Sequence, residues 1–312
     1  MSNGRRIILT GATGLIGKQL FAALRAREYE LVVFSRSPDA ARAKLPGAAD
    51  YVAWSPAESG PWAAALDGAY GVIHLAGAPI SQGLLGVRWT SAYKQEIMGS
   101  RVLGTRGIVN AIAAAQRRPS VLVSASAIGY YGPRDATLVD ESTPPGRDFM
   151  AEVCVAWERE AAGAEALGVR VVRLRSGIVL DPESGALGRL LIPFRLRTGG
   201  PIMPGSQFYS WIHPADEVGL ILLALEDERA RGPLNATAPK PETNSDFSAT
   251  LGRVIDSPSW LPVPEFSLRI ALGEMADMVV KGQRVLPLRA QELGYAFQFP
   301  ALEGALRDLL VS

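Results

Sequence analysis

One stretch near the N-terminus carries the clearest chemistry. In Thr10-Gly11-Ala12-Thr13-Gly14-Leu15-Ile16-Gly17, three glycines follow an apolar, β-branched run and open a helical one. Gly11 permits a tight turn, Gly14 lets backbone approach a pyrophosphate, and Gly17 lets the helix pack close to the strand. The first helical turn, entered through Thr13, Leu15 and Ile16, aims its N–H groups at phosphate oxygens. The flanking strand and helix separate this pattern from a chance glycine triplet. A second position bears on the same ligand. The next strand ends in Phe34-Ser35-Arg36-Ser37, where an Asp or Glu would hold the ribose 2′-OH of NAD. No carboxylate is present, and Arg36 stands about where a 2′-phosphate would lie. A guanidinium bonds phosphate through two parallel, charge-assisted contacts. The expected cofactor is therefore NADP (NADPH).

These residues need a frame. Arg6–Thr10, Leu31–Phe34, Val72–Leu75, Val121–Ser124 and Val169–Leu174 are short, near-continuous apolar runs, the signature of strands buried on both faces. Helical segments alternate with them at Gly17–Arg27, Thr90–Ala115 and Glu152–Leu167. Alternating β and α predicts a parallel sheet covered by helices. After about Leu180 the texture turns rich in Pro, Gly and aromatics, then gives a helix (Asp216–Leu225) and a strand-like run at 233–237. The expected fold is α/β, a Rossmann-type doubly wound parallel sheet of about seven strands with a smaller C-terminal substrate lobe. The NADP-binding domain is placed at 1–180, with a later strand from about 210–240. The substrate lobe is placed at 181–312, with a distinct C-terminal segment at about 255–312.

Composition removes several function classes. The chain has 312 residues, 48% hydrophobic and 20% charged, with net charge +1, so no field favours nucleic acid or an anionic membrane. One cysteine, Cys154, forbids an intrachain disulfide, and with two histidines it argues against a zinc site. The N-terminal apolar run is too short for a signal peptide, and none approaches the roughly 20 residues that span a bilayer. A cytoplasmic protein is expected.

The motifs TGATGLIG (10–17), HLAG (74–77), SASAIGYYG (124–132) and LRSGIVL (174–180) resemble the extended short-chain dehydrogenase/reductase superfamily. Gly129–Gly132, Cys154–Glu158, the PFR and GGPI segments (193–202), WIHPAD (211–216) and 281–297 resemble, more narrowly, its atypical NAD(P)-dependent epimerase-like subfamily. The resemblance covers essentially the whole chain. It implies NADP contacts from the glycine loop, Ser35, Arg36, Leu75, Ala76, Gly77, Ser124 and Val179, and from Glu96 and Arg101 on the long helix. Arg101 stands where extended members carry an asparagine. It either reaches the cofactor or a substrate anion, or pairs with Glu96.

The superfamily's chemistry needs a tyrosine with a lysine four residues later, because an unperturbed phenol is a poor base at neutral pH. No Tyr-x-x-x-Lys exists in this chain. Aligned on Glu158, the pair becomes Met150 and Cys154. Ser126 aligns with the substrate-holding hydroxyl, with Ser124 one pleat earlier. Tyr130 and Tyr131 are expected to overhang the pocket as substitute acids, their pKa lowered by Arg175 or by oxidised nicotinamide. His74 and His213 read as structural. Arg195, Arg197 and Gln207 are expected at the substrate mouth, favouring a phosphorylated or carboxylated ligand. Lys281, Gln283 and Arg284 form a polar cluster facing either pocket or solvent. The resemblance implies an NADP(H)-binding oxidoreductase or epimerase-like enzyme acting on a small polar substrate. The competing expectation is a non-catalytic NADP(H)-binding regulator or redox sensor, linked to cell division. The superfamily's habit also implies a homodimer through the two long helices.

Overall fold

The structure is a computed structural model that describes residues 4–56, 60–81 and 88–311. Its centre is a seven-stranded sheet: β1 (Arg6–Thr10), β2 (Glu30–Ser35), β3 (Asp50–Ala53), β4 (Gly71–His74), β5 (Val121–Ala127), β6 (Arg170–Ser176) and β7 (Gly232–Ala236). The spatial order is β7-β6-β5-β4-β1-β2-β3, and every pairing is parallel. Strand order reverses between β1 and β4, which places a ligand crevice at their carboxyl ends. β3 is absent from the sequence expectation. Its four residues, Asp50-Tyr51-Val52-Ala53, begin with a charge, and only Tyr51 is buried.

Alternate residues of each strand feed two cores. Ile7 and Leu9 point into one layer with Leu20 and Leu24 of α1 (Leu15–Ala26), and with Leu220 and Ile221 of helix Pro214–Glu226. Ile8 points into the other, against Ile108 and Ile112 of helix Ser91–Ala114 and Ala161 of helix Phe149–Ala162. Each such aliphatic burial contributes about 1.5–3 kcal/mol against exposure. In chain order these helices are α1, α2 (Pro38–Lys44), α3 (Ser91–Ala114), α4 (Phe149–Ala162), α5 (Gly185–Arg195) and α6 (Pro214–Glu226). Side chains cap three of them. Thr90 accepts from Tyr93 N at α3, Asp148 from Ala151 N at α4, and His213 Nδ1 from Ala215 N at α6.

The C-terminal part packs over the carboxyl ends of the strands. Its own core joins Leu187, Leu191 and Phe194 of α5 to Trp211, Phe247, Leu251, Leu302 and Leu306. Short ribbons stitch it to the sheet: Ile178–Val179 beside Trp211–Ile212, and Leu138–Val139 beside Arg284–Val285. Among the described residues no helix is long and apolar enough to cross a membrane.

Candidate active site

The glycine loop has the geometry its spacing demands. Gly11 sits at φ +72°, and a Cβ there would lie 2.9 Å from the Leu75 carbonyl carbon. A Cβ on Gly17 would lie 2.2 Å from Gly11 O, so only glycine lets α1 start so close to β1. Gly14 differs. A Cβ there would meet only Gly11 O, at 3.3 Å, which leaves its outer face free for a phosphate at the N-terminus of α1. This cradle fits a pyrophosphate. Thr10 Oγ1 lies 2.8 Å from His74 Nδ1 and accepts from Ala76 N at 3.2 Å, fixing the loop against Leu75–Gly77. His74 is fully buried and burial depresses its pKa to about 4, so it is neutral and structural at pH 7.

At the end of β2, Ser35 Oγ accepts from Ser37 N at 3.1 Å. Arg36 is exposed and has no ion-pair partner among the described residues. Arg101 is 7% exposed, donates to the carbonyls of Ala78 and Ile97, and lies 5.1 Å from the Trp157 ring. A Cβ on Gly77 would come within 3.3 Å of its guanidinium carbon. Glu96 is exposed and does not pair with Arg101.

A cleft of about 790 Å³ opens between the strand ends and the C-terminal lobe. Leu15, Ala127–Gly129, Met150 and Ser176–Val179 form its floor, and Trp89, Lys94, Phe208, Met278, Lys281 and Gln283 its walls. The polar cluster near the C-terminus thus sends Lys281 and Gln283 to the cleft. Arg284 stacks instead over Phe208, at 5.0 Å. Both cleft lysines are paired, Lys94 with Glu274 and Lys281 with Asp277.

Several expected site residues lie elsewhere. Arg195 and Arg197 line a separate hollow with Val254, Asp256 and Leu310, because they follow α5 out to its far end. Gln207 is buried and donates to the Ile202 and Val279 carbonyls. Met150 is on the cleft floor, but Cys154 one turn later is buried. Desolvation pushes its thiol up to about 12, so it supplies no thiolate.

Ser126, Tyr130 and Tyr131 belong to a network beneath the cleft. Ser126 Oγ, in a residue 4% exposed, donates to Glu158 Oε1 at 2.7 Å. Arg175 grips the same carboxylate at 2.7 and 2.9 Å. It also donates to the Tyr131 hydroxyl at 2.8 Å, and that hydroxyl donates to Asn235 Oδ1 at 2.6 Å. The Arg175 guanidinium covers the Tyr130 ring at 3.5 Å. Tyr131 is 0% exposed, so it lies under the pocket rather than over it. Burial drives its hydroxyl up to about 12. Arg175 pulls the other way but does not outweigh desolvation. Ser124 is buried in β5, opposite His74.

Three hydroxyl residues line the cleft: Tyr209 and Ser210, which donate to the Val279 and Gln283 carbonyls, and Ser176, the last residue of β6. It is hydrogen-bonded to Glu217 Oε1 in the first turn of α6. Glu217 is 2% exposed, and burial raises its carboxyl to about 7, opposed only by the Ser176 bond. Sequence reasoning missed this pair. Its signal was a second carboxylate, after Asp216, at the head of the apolar run that starts at Val218. A stability prediction follows from the raised value. Above the ordinary carboxyl pKa of 4.5 the unfolded chain releases this proton, while the folded chain keeps it up to about 7. Glu217 therefore favours the folded state fully below pH 4.5, and this contribution is lost as pH rises to about 7. The melting temperature of the wild type, relative to Glu217→Gln, is expected to fall across that window. Parallel curves for the two proteins would contradict it.

Three comparisons bear on this geometry. The family described as NAD dependent epimerase/dehydratase matches residues 7–236, and a domain of unknown function, DUF1731, matches residues 263–309. An Arabidopsis thaliana protein named epimerase family protein SDR39U1 homolog, chloroplastic, is 42% identical over 97% of this chain and 86% of its own length. Epimerase family protein YfhF of Bacillus subtilis is 37% identical over 97% of each. The crystal structure of human epimerase family protein SDR39U1 (isoform 2) with NADPH superposes with a TM-score of 0.84. Its identity is 32%, over 98% of this chain and 99% of that one.

Proposed function

The chain belongs to the NAD-dependent epimerase/dehydratase family, and from that premise we propose that it is an NADP(H)-binding oxidoreductase or epimerase-like enzyme acting on a small polar substrate. One observation carries the reading. Leu15 belongs both to the glycine loop and to the cleft floor, so a dinucleotide lying over β1 ends in the cleft. When bound, the nicotinamide supplies or accepts a hydride at C4. Gly11, Gly14 and Gly17 would seat the pyrophosphate, Ser35 and Arg36 the adenosine 2′-phosphate, and Leu75–Gly77 and Val179 would flank the rest. The NADPH in the human relative's structure supports this choice of cofactor. Ser126, Tyr130 and Tyr131 would then shape the floor from below. The setting is proposed as cytoplasmic, in keeping with one buried, unpaired cysteine. A homodimer through α3 and α4 would cover Leu103 and Val155, which are exposed on those helices.

A second reading is favoured by α4, where Met150 and Cys154 replace the expected proton-transferring pair. It makes the protein an NADP(H)-binding regulator or redox sensor. Transfer of deuterium separates the two. The intact protein is loaded with NADPH deuterated at either C4 face and given a metabolite extract. A parallel arm starts from NADP⁺ and follows nicotinamide absorbance. Label in a small polar product, or transient reduction in the second arm, is expected. Binding without either signal would favour the regulator.

A further inference from the structure

We propose that Ser176 and Glu217 are the proton-handling pair of the cleft, with Ser176 Oγ meeting the substrate oxygen and Glu217 exchanging the proton behind it. The proposal rests on the oxidoreductase reading above. The usual acid is missing. Met150 carries no proton, Cys154 is sealed in, and the Tyr131 hydroxyl is spent between Arg175 and Asn235. Ser176 is on the cleft floor beside Gly177, Ile178 and Val179, next to Ala127 of β5 in register. Its hydroxyl reaches Glu217 Oε1, and the second carboxylate oxygen, Oε2, is buried with no hydrogen-bond partner among the described residues. An ionised carboxylate with an orphaned oxygen is costly to bury, so the site favours the carboxylic acid near neutral pH.

The surroundings leave that acid to Ser176. Arg175, one residue earlier in β6, leaves the opposite face of the sheet for Glu158. Asp216, beside Glu217 on α6, accepts from the Gln298 and Phe299 N–H groups. The Tyr295 hydroxyl donates to Asp216 Oδ1 at 3.1 Å, and its own pKa is pushed up by burial. His213, at the start of α6, is turned to Asp308. No cation among these faces Glu217, so nothing charged holds it ionised.

The pair has two hydrogen-bond directions. With Glu217 protonated, its O–H donates to Ser176 Oγ, and the serine proton points into the cleft. With Glu217 ionised, Ser176 donates to Oε1 and its lone pairs face the cleft. Reduction of a substrate carbonyl then balances. Bound NADPH would supply the hydride for the new C–H bond and be left as NADP⁺, and the carbonyl π pair would move to oxygen. That oxygen takes the Ser176 proton, Ser176 takes the Glu217 proton, and Glu217 is left as carboxylate to be reprotonated from water. Oxidation of an alcohol with NADP⁺ runs the same bonds in reverse.

The test uses intact wild type, Glu217→Gln and Ser176→Ala. Infrared difference spectra over a pH titration read the carboxyl directly. A protonated carboxyl band that titrates near pH 7 is expected in wild type. It should be absent in Glu217→Gln and titrate higher in Ser176→Ala, which loses the bond favouring the ionised form. A band unchanged in Glu217→Gln would overturn the proposal. Deuteride transfer to the labelled product should fall about 10²–10⁴-fold in either variant, with NADPH affinity unchanged. Its decline with rising pH in wild type should flatten in Glu217→Gln. Wild-type transfer with an equally active Glu217→Gln would overturn the pair alone. No transfer by wild type would overturn the oxidoreductase reading, and catalytic use of the pair with it.

Discussion

Arg36→Asp is expected to invert the coenzyme preference. Arg36 is exposed at the end of β2 with no ion-pair partner among the described residues, so its charge is available to a 2′-phosphate. A charge-assisted contact of this kind is worth about 1.5–3 kcal/mol, and the substituted carboxylate adds repulsion. NADPH affinity should fall about 100-fold or more. NADH should bind as well as before or better, because the new carboxylate can accept from the ribose 2′-OH. Titration calorimetry with both coenzymes checks it. Equal losses for the two would remove Arg36 from the site.

The second large effect lies beneath the cleft. Arg175→Met removes the cation from a buried Glu158 that also accepts from Ser126. Leaving one member of a buried pair unmatched costs about 3–5 kcal/mol, whereas replacing both with apolar residues is often neutral. Arg175→Met should lower unfolding stability by that amount in urea titrations, and Glu158→Leu/Arg175→Met should recover much of it. Tyr131, held by Arg175 on one side and Asn235 on the other, should lose its packing in the single variant. Unchanged stability in Arg175→Met would mean that the network does not hold the floor.

How much of this was legible in the sequence depends on the range of the interactions involved. The glycine loop is local chemistry. Steric exclusion at Gly11 and Gly17 involves neighbours a few residues away or on the adjoining strand, so spacing alone revealed it. Near-continuous apolar runs marked five strands of the sheet, and a strand-like run at 233–237 marked a sixth. β3 escaped because its four residues open with Asp50, bury only Tyr51 and sit at the sheet edge. The site residues were harder, since side-chain direction is not written in spacing. Tyr130 and Tyr131 look like loop residues over a pocket, but Tyr131 turns inward because Arg175 and Asn235, 44 and 104 residues away, offer it partners. Arg195 and Arg197 adjoin a glycine-rich segment in sequence, yet α5 carries them to another surface. Ser176 and Glu217 are joined only when α6 packs on β6, a contact across 41 residues.

The glycine loop, the end of β2 and the cleft are proposed to form one NADP(H) site. Hydrogen exchange of the intact protein with and without NADPH tests it most directly. Slowed exchange is expected at residues 11–17, 35–36 and 75–77 and along the cleft floor at 176–179, with little change around the hollow beside Arg195. Protection confined to that hollow, or none at saturating NADPH, would contradict it.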